Sequence, residues 1–387
     1  MKILFDHQIF SIQKYGGISL YFSELMSQYS LNPDIDFDLA LCYSNNQNIR
    51  KRPLLNNYWS NKNLFCPFLN QFPFIEEHLP GSIIYRIFNN QRESERLLKK
   101  QDFQIFHPTY YNPYFLKYLQ NKPFLITVYD MIHELFPMYF STSDPIRKWK
   151  KELIYKSDFI IAISKNTKDD VIKMFGIDPE KIFVVHLGNP FESFHRGQSH
   201  DKSQNISFSK NSFLLYVGNR QGYKNFNFFV ESIAGFLRKN DIYLYCAGGG
   251  SFSNKEQKML EKLGIQENVR YIRVNDMILK MLYENALAFV FPSLYEGFGL
   301  PVLEAFSCGC PAMLSNTGSL PEIGDDAAIY INPTDSDTIL EGIESLLTDE
   351  KRRNDLISRG YQRLNYFSWK KTAMQTKGVY DKIVSMT

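Results

Sequence analysis

The feature that most constrains the fold is an alternation of short apolar runs with longer segments of helical spacing along the chain. Short runs rich in β-branched and aromatic residues are typical of buried strands. Strands that alternate with helices form parallel sheets, because each crossover helix returns the chain to the same end of the sheet. The pattern therefore predicts an α/β fold. We expect strands at 2–5, 37–43, 123–129, 158–164, 181–187, 212–218, 242–247, 269–274, 288–292, 310–315 and 327–331.

The segments between these strands carry apolar stripes. Residues three or four positions apart share one face of a helix, so such a stripe predicts a helix. The first stripe consists of Ile18, Phe22, Leu25, Met26 and Tyr29. Similar stripes occupy much of 277–287 and 339–347.

The domain organisation follows from the length and from one break in the pattern. A chain of 387 residues exceeds one ordinary core and suggests two domains. A polar stretch without periodicity begins near Phe191, and the strand-helix alternation restarts at Phe213. A cleft between two α/β domains, at the carboxyl ends of parallel strands, is where a ligand is expected. The predicted parts are an amino-terminal domain at 1–190, a linker at 191–211, a carboxy-terminal domain at 212–365 and a final segment at 366–387.

The composition excludes several classes of protein. The chain has 44 Lys and Arg against 41 Asp and Glu, which leaves a net charge of +3, and 44% of its residues are hydrophobic. Disorder and a dedicated nucleic-acid surface are therefore both disfavoured. Charge at Asp6 interrupts any secretory hydrophobic region, and no apolar run reaches the length of about 18 residues that a membrane span needs. We expect a cytoplasmic protein whose membrane contact is limited to a peripheral position at the inner face of the plasma membrane.

The five cysteines are too few and too scattered for a disulfide framework. Cys308-Gly-Cys310 lacks the second ligand pair of a zinc site. We expect all five thiols to be reduced, and we predict neither a metal site nor a cofactor. The short aspartate series Asp34-Ile-Asp36-Phe-Asp38 lies in a polar stretch and is interpreted as a solvated turn.

The most informative stretch runs from Phe291 to Ala305 and contains Glu296 and Glu304. It is predicted to be a strand end, a glycine-containing loop and a helix with Pro301 in its first turn. The unpaired N–H groups and the positive dipole end of such a helix suit a diphosphate. A carboxylate accepts both vicinal hydroxyls of a ribose or a sugar, so each glutamate can bind one such pair. The alternative is that Glu304 only complements the helix dipole and Glu296 is a solvated loop residue.

Glu296 and Glu304, with Gly-Phe-Gly-Leu-Pro between them, resemble the E-x7-E motif of the retaining GT-B glycosyltransferases, glycosyl transferases group 1. This family includes mannosyl- and glucosyltransferases of cell-envelope polysaccharide synthesis. The resemblance implies two Rossmann-like domains that face a deep cleft, with a carboxy-terminal helix that crosses back to the first domain. Further blocks occur in the family's order: Tyr15-Gly16-Gly17-Ile18, Thr127-Val-Tyr-Asp130, Ala162-Ile-Ser164-Lys-Asn-Thr167, Tyr216-Val-Gly218-Asn-Arg220-Gln-Gly-Tyr-Lys224-Asn and Ser315-Asn-Thr-Gly-Ser319-Leu-Pro-Glu322.

The resemblance implies a site for a nucleotide diphosphate sugar. Glu304 would hold the ribose of the nucleoside. Glu296 and the glycine loop Gly16–Gly17 would lie against the sugar and the phosphates. The backbone amides of Gly299 and Leu300 would bind the diphosphate as it departs.

Arg220 and Lys224 follow a strand that ends at Val217-Gly218, so they project from its carboxyl end. Two fixed cations there would neutralise a departing diphosphate in place of a metal ion. The alternative is a pair of surface cations on a loop. The family often has adjacent Arg and Lys where this chain has Tyr223 and Lys224, and Arg220 is our candidate for the second charge.

Tyr129 and Asp130 lie at the end of a predicted strand. The family commonly carries a histidine just before this aspartate, where it contacts the transferred sugar, so Tyr129 and His133 are candidate replacements. We expect Asp130 to orient the acceptor or to bind a sugar hydroxyl, whereas the alternative is that it caps the next helix. His107 is a further candidate for a sugar contact, and a hydrogen-bonded core imidazole is its alternative.

One basic segment, Arg147–Lys156, has no place in the predicted cleft. On a helix it would show cations with Trp149, Leu153 and Lys156 on a shared flank. Such a flank can rest on an anionic membrane that holds a lipid-linked acceptor. A solvated helix face is the alternative.

The resemblance implies an enzyme that transfers a hexose from a nucleotide diphosphate sugar, with retention of configuration. The expected acceptor is a saccharide or a lipid-linked glycan of O-antigen or capsule synthesis, and no nucleic acid partner is expected. GDP-mannose is the favoured donor because it is frequent in the resembled family. One alternative is an epimerase or hydrolase that acts on nucleotide sugars. Another is a catalytically degenerate glycan-binding or scaffold subunit, suggested by Tyr129 and Tyr223.

Overall fold

The computed structural model describes residues 1–52, 55, 82–192 and 212–386. Within these residues the chain forms two α/β domains with parallel sheets. The strands of the first domain are β1 (Lys2–Phe5), β2 (Asp36–Leu39), β3 (Ile105–His107), β4 (Leu125–Val128), β5 (Phe159–Ala162) and β6 (Ile182–Val184). Those of the second are β7 (Phe213–Val217), β8 (Tyr243–Ala247), β9 (Val269–Ile272), β10 (Ala288–Phe291), β11 (Ala312–Ser315) and β12 (Ala328–Ile331).

The order of the strands determines where the loops meet. In the first domain β2, β1 and β3 form one sheet, β4, β5 and β6 form another, and a parallel bridge between Phe106 and Phe124 connects them. The second domain has the order β12-β11-β10-β7-β8-β9. The strand order therefore reverses between β7 and β10. At such a point the loops that leave the two neighbouring strands diverge to opposite faces and open a crevice.

Helices cover the sheets because their apolar faces pack against the strands. The three predicted apolar stripes are confirmed as helices Gly17–Tyr29, Asp276–Asn285 and Ser336–Thr348. The other described α-helices are Gln8–Ile12, Gln47–Arg50, Ser82–Lys100, Ile132–Leu135, Ile146–Lys156, Lys165–Phe175, Phe226–Lys239, Asn254–Leu263, Leu300–Ser307, Leu320–Gly324, Glu350–Arg363 and Trp369–Met386.

The predicted strands are confirmed as elements, although their ends differ. The strand expected at 37–43 ends at Leu39, and the buried residues Ala40 and Leu41 continue the apolar run after pairing has stopped. The sequence prediction misses β3. A three-residue strand is too short to show alternation, and Ile105 and Phe106 are buried by neighbouring elements rather than marked by a local pattern.

The final helix, Trp369–Met386, packs against the first domain. The Tyr380 hydroxyl lies 2.7 Å from Nδ1 of His107. The Tyr29 hydroxyl donates to the carbonyl of Ala373 at 3.2 Å. These buried contacts attach the end of the chain to the core of the first domain. The predicted linker lies outside the described residues from 193 to 211.

Candidate active site

A cavity of about 1350 Å³ lies between the two domains. The first domain contributes its glycine loop and the end of β4, and the second contributes the loops that follow β7, β8 and β10. Parallel strands present their carboxyl ends at one edge, so these loops collect at the point where the order of the second sheet reverses. The predicted site residues in the lining are Gly16, Gly17, Tyr129, Asp130, Lys224, Glu296, Gly299, Leu300 and Glu304.

The two glycines of the first domain lie at the start of the Gly17–Tyr29 helix. A Cβ atom added to Gly16 would lie 2.3 Å from the side-chain oxygen of Gln13. A Cβ atom added to Gly17 would lie 3.0 Å from a methyl carbon of Leu300 in the opposite domain. The glycine loop therefore lies against the start of the Leu300–Ser307 helix at the wall of the cavity.

An ion pair between Lys224 and Glu296 forms part of the second-domain wall. Lys224 ends a short 3-10 turn that follows β7, whereas Glu296 lies in the loop after β10. The Lys224 ammonium lies 2.6 Å from Oε1 of Glu296, and both side chains are largely buried, with 14% and 10% exposed. An ammonium group has three donors, so this pairing leaves donors for a phosphate oxygen.

The loop that carries Glu296 is fixed on both sides. The Ser319 hydroxyl donates to the carbonyl of Glu296 at 2.9 Å. A Cβ atom at Gly297 would lie 1.8 Å from the carbonyl oxygen of Tyr129, so the loop touches the first domain with its backbone. Only glycine permits this approach.

Glu304 lies on the Leu300–Ser307 helix and lines the cavity. The buried Tyr283 hydroxyl donates to its Oε2 atom at 3.0 Å. Burial raises the pKa of Glu304 to about 7; the hydrogen bond from Tyr283 opposes this rise, and the negative charge of Asp276 adds to it. The site therefore holds a carboxyl group that changes its charge near neutral pH.

The same helix begins at the cavity wall. Gly299 precedes it with a φ of 103°, a left-handed conformation that favours glycine, and Pro301 occupies its first turn. Because Gly299 and Leu300 line the cavity, the positive end of the helix dipole lies at its wall. The strand, loop and helix predicted around the two glutamates are confirmed.

Two family comparisons cover most of the chain. The sequence model of Glycosyl transferases group 1 matches residues 198–363, and that of Glycosyltransferase Family 4 matches residues 64–190. The chain is a glycosyltransferase, and its second domain matches the group 1 family. Its sheets, cavity and domain arrangement agree with the GT-B fold of this family, which is confirmed by comparison with solved structures.

The relatives of this glycosyltransferase include enzymes of O-antigen synthesis. O-antigen chain mannosyltransferase B of Escherichia coli is 28% identical over 330 residues, which cover 83% of this chain and 84% of that protein. O-antigen chain mannosyltransferase RfbU of Salmonella typhimurium is 26% identical and covers 60% of this chain and 64% of its own length.

Solved structures support the fold. Sucrose-phosphate synthase from Thermosynechococcus elongatus superimposes with a TM-score of 0.69 at 16% identity and covers 100% of this chain and 99% of that chain. Anabaena HepE in complex with UDP and glucose gives a TM-score of 0.65 at 14% identity, with 99% and 100% covered.

Arg220 lies elsewhere in the glycosyltransferase than the sequence suggests. Its guanidinium donates to Glu256 at 2.7 Å and to the backbone carbonyls of Gly248, Gly250 and Ser251 at 3.0, 2.9 and 3.1 Å. The ring of Phe252 lies 4.7 Å from it. Arg220 is 5% exposed and is not part of the cavity lining, so the structure does not present it as the second cation beside Lys224.

Tyr129 and Asp130 do reach the cavity. The Tyr129 hydroxyl donates to the carbonyl of Thr109 at 3.3 Å. The Asp130 carboxylate accepts from the amide of Ile132 at 3.0 Å, and the Lys150 ammonium lies 3.7 Å from it. Lys150 also donates to the Asp130 carbonyl, so a buried cation holds Asp130, the residue predicted to orient the acceptor substrate.

The two predicted histidines do not line the cavity. His133 stacks on Phe140 at 3.9 Å between ring centres. His107 is fully buried, and its Nε2 atom lies 3.0 Å from the Thr127 hydroxyl while Nδ1 contacts Tyr380. Burial lowers the pKa of His107 to about 3, so it is a neutral core imidazole. The structure therefore supports the core alternative for His107 and gives no sugar contact to it.

The remaining predictions concern metal and membrane. Within residues 1–52, 55, 82–192 and 212–386, no group of three or more His, Cys, Asp or Glu is arranged to hold a metal ion. The interpretation of the aspartate series as a solvated turn is wrong beyond Asp34, because Asp36 and Asp38 belong to β2 and Asp38 pairs with Lys2 at 3.0 Å. No helix among the described residues has the length and apolar character needed to span a membrane.

The basic segment forms the helix Ile146–Lys156, but it is not a uniformly solvated face. Lys150 and Leu153 are buried, and Trp149 is half-buried. Lys156 is exposed and pairs with Glu152. Trp149, Leu153 and Lys156 therefore do not form one exposed flank, because Trp149 and Leu153 lie toward the core.

Several residues at the cavity were not predicted. Tyr283 holds Glu304, Lys51 pairs with Asp276 across the two domains, and Arg52 pairs with Glu24. Lys51, Arg52 and Glu24 belong to the lining. The adjacent basic pair is visible in the sequence, but nothing local shows that it faces the cleft.

Proposed function

We propose that this glycosyltransferase transfers mannose from GDP-mannose, with retention of configuration, to a saccharide or lipid-linked acceptor of O-antigen or capsule synthesis. The observation that carries the proposal is the cavity in which the Lys224–Glu296 pair and Glu304 face the glycine loop. The choice of mannose is supported by the relatives that are named O-antigen mannosyltransferases.

In this proposal the second domain binds the donor. Glu304 accepts hydrogen bonds from the ribose hydroxyls. Lys224 and the amides at Gly299 and Leu300 bind the diphosphate. Negative charge grows on the phosphate as the sugar bond breaks, so a fixed ammonium and a helix start lower the barrier more than they stabilise the bound donor. Arg220 contributes indirectly, because it anchors the carbonyls of the loop after β8.

The sugar lies between the two domains. Glu296 accepts from its hydroxyls while paired with Lys224, and the absence of a side chain at Gly17 allows the ring to approach the backbone there. Asp130, which the buried Lys150 fixes, orients the acceptor hydroxyl. The departing phosphate takes the proton of that hydroxyl, and the new bond forms on the face that the phosphate leaves.

The exposed side of the Ile146–Lys156 helix supports a peripheral contact with an anionic membrane. Arg147, Lys148 and Lys151 are exposed and share one face of this helix. The triple variant Arg147→Ser, Lys148→Ser, Lys151→Ser should lose cosedimentation with phosphatidylglycerol vesicles. Unchanged cosedimentation would reject this contact, and vesicles of phosphatidylcholine alone are the control.

The function is tested by donor and acceptor screening in the presence of a chelator. GDP-mannose should raise the melting temperature of the protein and should yield a mannosylated product with a lipid-linked glycan acceptor. Conversion of the donor without any acceptor would favour an epimerase or a hydrolase. A protein that binds no nucleotide would favour the scaffold subunit, and loss of activity in chelator would reject a metal-independent reaction.

A further inference from the structure

Tyr283 makes a buried contact with a cavity carboxylate but does not itself line the cavity. It lies on the Asp276–Asn285 helix and is completely buried. Its ring packs edge-on against Phe289, with 5.6 Å between ring centres. This packing fixes the hydroxyl, which lies 3.0 Å from Oε2 of Glu304 and 3.4 Å from the carbonyl oxygen of Pro301, so the carboxylate is the nearer acceptor.

The contact makes the two carboxylate oxygens of Glu304 inequivalent. One is held by Tyr283, and the other is left for a ligand in the cavity. Without the hydroxyl, the side chain would be free to choose other rotamers, and a ligand would bear the cost of ordering it.

The surroundings of Glu304 contain few charges that can replace this hydrogen bond. Asp276 on the facing helix carries a negative charge, which opposes ionisation of Glu304. Lys51 of the first domain pairs with Asp276. Cys308 and Cys310 follow the helix of Glu304, and burial raises the pKa of each thiol, so both are neutral.

We propose that Tyr283 is a positioning residue of this glycosyltransferase: it holds one oxygen of Glu304 so that the other faces the donor ribose. The inference rests on the proposed role of Glu304 as the ribose ligand. Tyr283 acts through Glu304 and does not touch the substrate.

The consequence is a change in pH dependence. Burial raises the pKa of Glu304 to about 7, and the Tyr283 hydrogen bond is the contact that opposes this rise. Removal of the hydroxyl should therefore raise the pKa of Glu304 further. Ionised Glu304 is the stronger acceptor, so donor binding should weaken as the pH falls, and the variant should weaken at a higher pH than the wild type.

The test compares Tyr283→Phe with the wild type in calorimetric titrations of GDP and 2′-deoxy-GDP. If removal of the hydroxyl raises the pKa of Glu304 by about one unit, GDP affinity should be about tenfold lower at pH 6, since one unit is a factor of ten. At pH 8.5, where Glu304 is mostly ionised in both proteins, the smaller deficit that remains should reflect the cost of ordering its side chain. The preference for GDP over 2′-deoxy-GDP should shrink in the variant at pH 6. Tyr330→Phe is the control, because it removes a hydroxyl that donates to the carbonyl of Asp325 away from the cavity.

Different results would contradict the ribose role of Glu304 and the positioning role of Tyr283. If the wild type binds GDP but does not distinguish it from 2′-deoxy-GDP, the proposed ribose role of Glu304 is wrong. Absence of GDP binding would instead overturn the proposed donor. If the wild type distinguishes them and Tyr283→Phe has the same pH profile, the positioning role alone is wrong. The double variant Tyr283→Phe, Glu304→Gln avoids a buried unpaired charge, and it should bind GDP as Glu304→Gln does. An additional loss in the double variant would indicate a packing role instead.

Discussion

The ammonium group of Lys224 lies 2.6 Å from the Glu296 carboxylate, and this ion pair joins two loops that are 72 residues apart in sequence. The loops meet because β7 and β10 are parallel neighbours in the second sheet. A cation that is held by a carboxylate is positioned before the donor arrives. The pair therefore links the group proposed to bind the sugar to the group proposed to receive the phosphate charge.

Replacement of Lys224 by alanine should lower kcat by about two to three orders of magnitude, the usual effect of removing one preorganised donor at a developing anion. The measurement is initial-rate kinetics with GDP-mannose. Exposed Lys239, at the end of the Phe226–Lys239 helix, provides the matched control, and Lys239→Ala should keep full activity.

The Lys224→Ala variant also leaves Glu296 largely buried without its partner, which costs stability. The double variant Lys224→Ala, Glu296→Gln should recover melting temperature but not turnover. Recovery of turnover in the double variant would mean that the unpaired carboxylate, rather than the missing cation, had caused the loss.

Arg220 should behave as a structural residue. It bonds to one carboxylate and three carbonyls, so Arg220→Ala should lower the free energy of unfolding by about 3–5 kcal/mol, the range for breaking a buried ion pair. Arg220→Lys should be destabilised to a similar degree, because one ammonium cannot span four acceptors at these positions. Chemical denaturation measures both variants.

The matched control for Arg220 is Arg270→Ala, an exposed arginine of the same domain, which should change stability by less than about 1 kcal/mol. If Arg220→Lys keeps full stability and full turnover, only the positive charge matters there. That result would favour the predicted phosphate role over the structural one.

Site features that lie within one segment could be predicted from the sequence, whereas contacts between distant segments could not. The positions of Glu296 and Glu304 follow from a strand that ends, a glycine and a helix start, all within one segment. The environment of Arg220 depends on backbone carbonyls of residues 248–251, and nothing in the sequence indicates that these carbonyls converge on the Arg220 guanidinium. Tyr283 lies 21 residues before Glu304, and only the packing of two helices brings them together.

The burial of a side chain can likewise be predicted from the sequence only where a local pattern indicates it. The apolar stripes predict helices because the period of the pattern is local. The burial of Lys150 is not predictable in this way, since its partners Glu134 and Asp130 are brought to it by the fold. A basic segment therefore resembles a solvated face in the sequence although one of its lysines is in the core.

The ionisation of Glu304 should cost stability. Burial raises its pKa from 4.5 to about 7, so the folded state binds a proton that the unfolded state releases between these values, and stability falls as the pH rises through this window. Glu304→Gln should then be more stable than the wild type at pH 8, by on the order of 3 kcal/mol at most. The difference should disappear near pH 4.

Thermal denaturation across this pH range measures the effect, with exposed Glu261→Gln as the control for loss of one carboxylate. A Glu304→Gln variant that is less stable at pH 8 would contradict the assignment of burial as the dominant influence on this carboxyl group.

Glu322 should show the opposite sign, because it joins the domains as an ion. It accepts from the amides of Lys165 and Asn166 at 2.9 and 3.2 Å, and Nε2 of His186 lies 2.6 Å away. Burial opposes ionisation, but the hydrogen bonds from His186 and the two amides prevail and lower the pKa of Glu322. Its stabilisation is present above the unfolded value of 4.5 and is lost as the pH falls through the folded value.

Glu322→Gln should therefore lower the free energy of unfolding at pH 7 by about 1.5–3 kcal/mol, the range for a hydrogen bond to a charged group. The deficit should vanish at pH values where Glu322 is protonated in the wild type. His186→Phe, which keeps a ring against Phe298 and Phe367, should reproduce part of the loss. A deficit of Glu322→Gln that persists unchanged into acid would show that the amide carbonyl packs poorly at this junction, and that the charge of Glu322 is not what holds the two domains together.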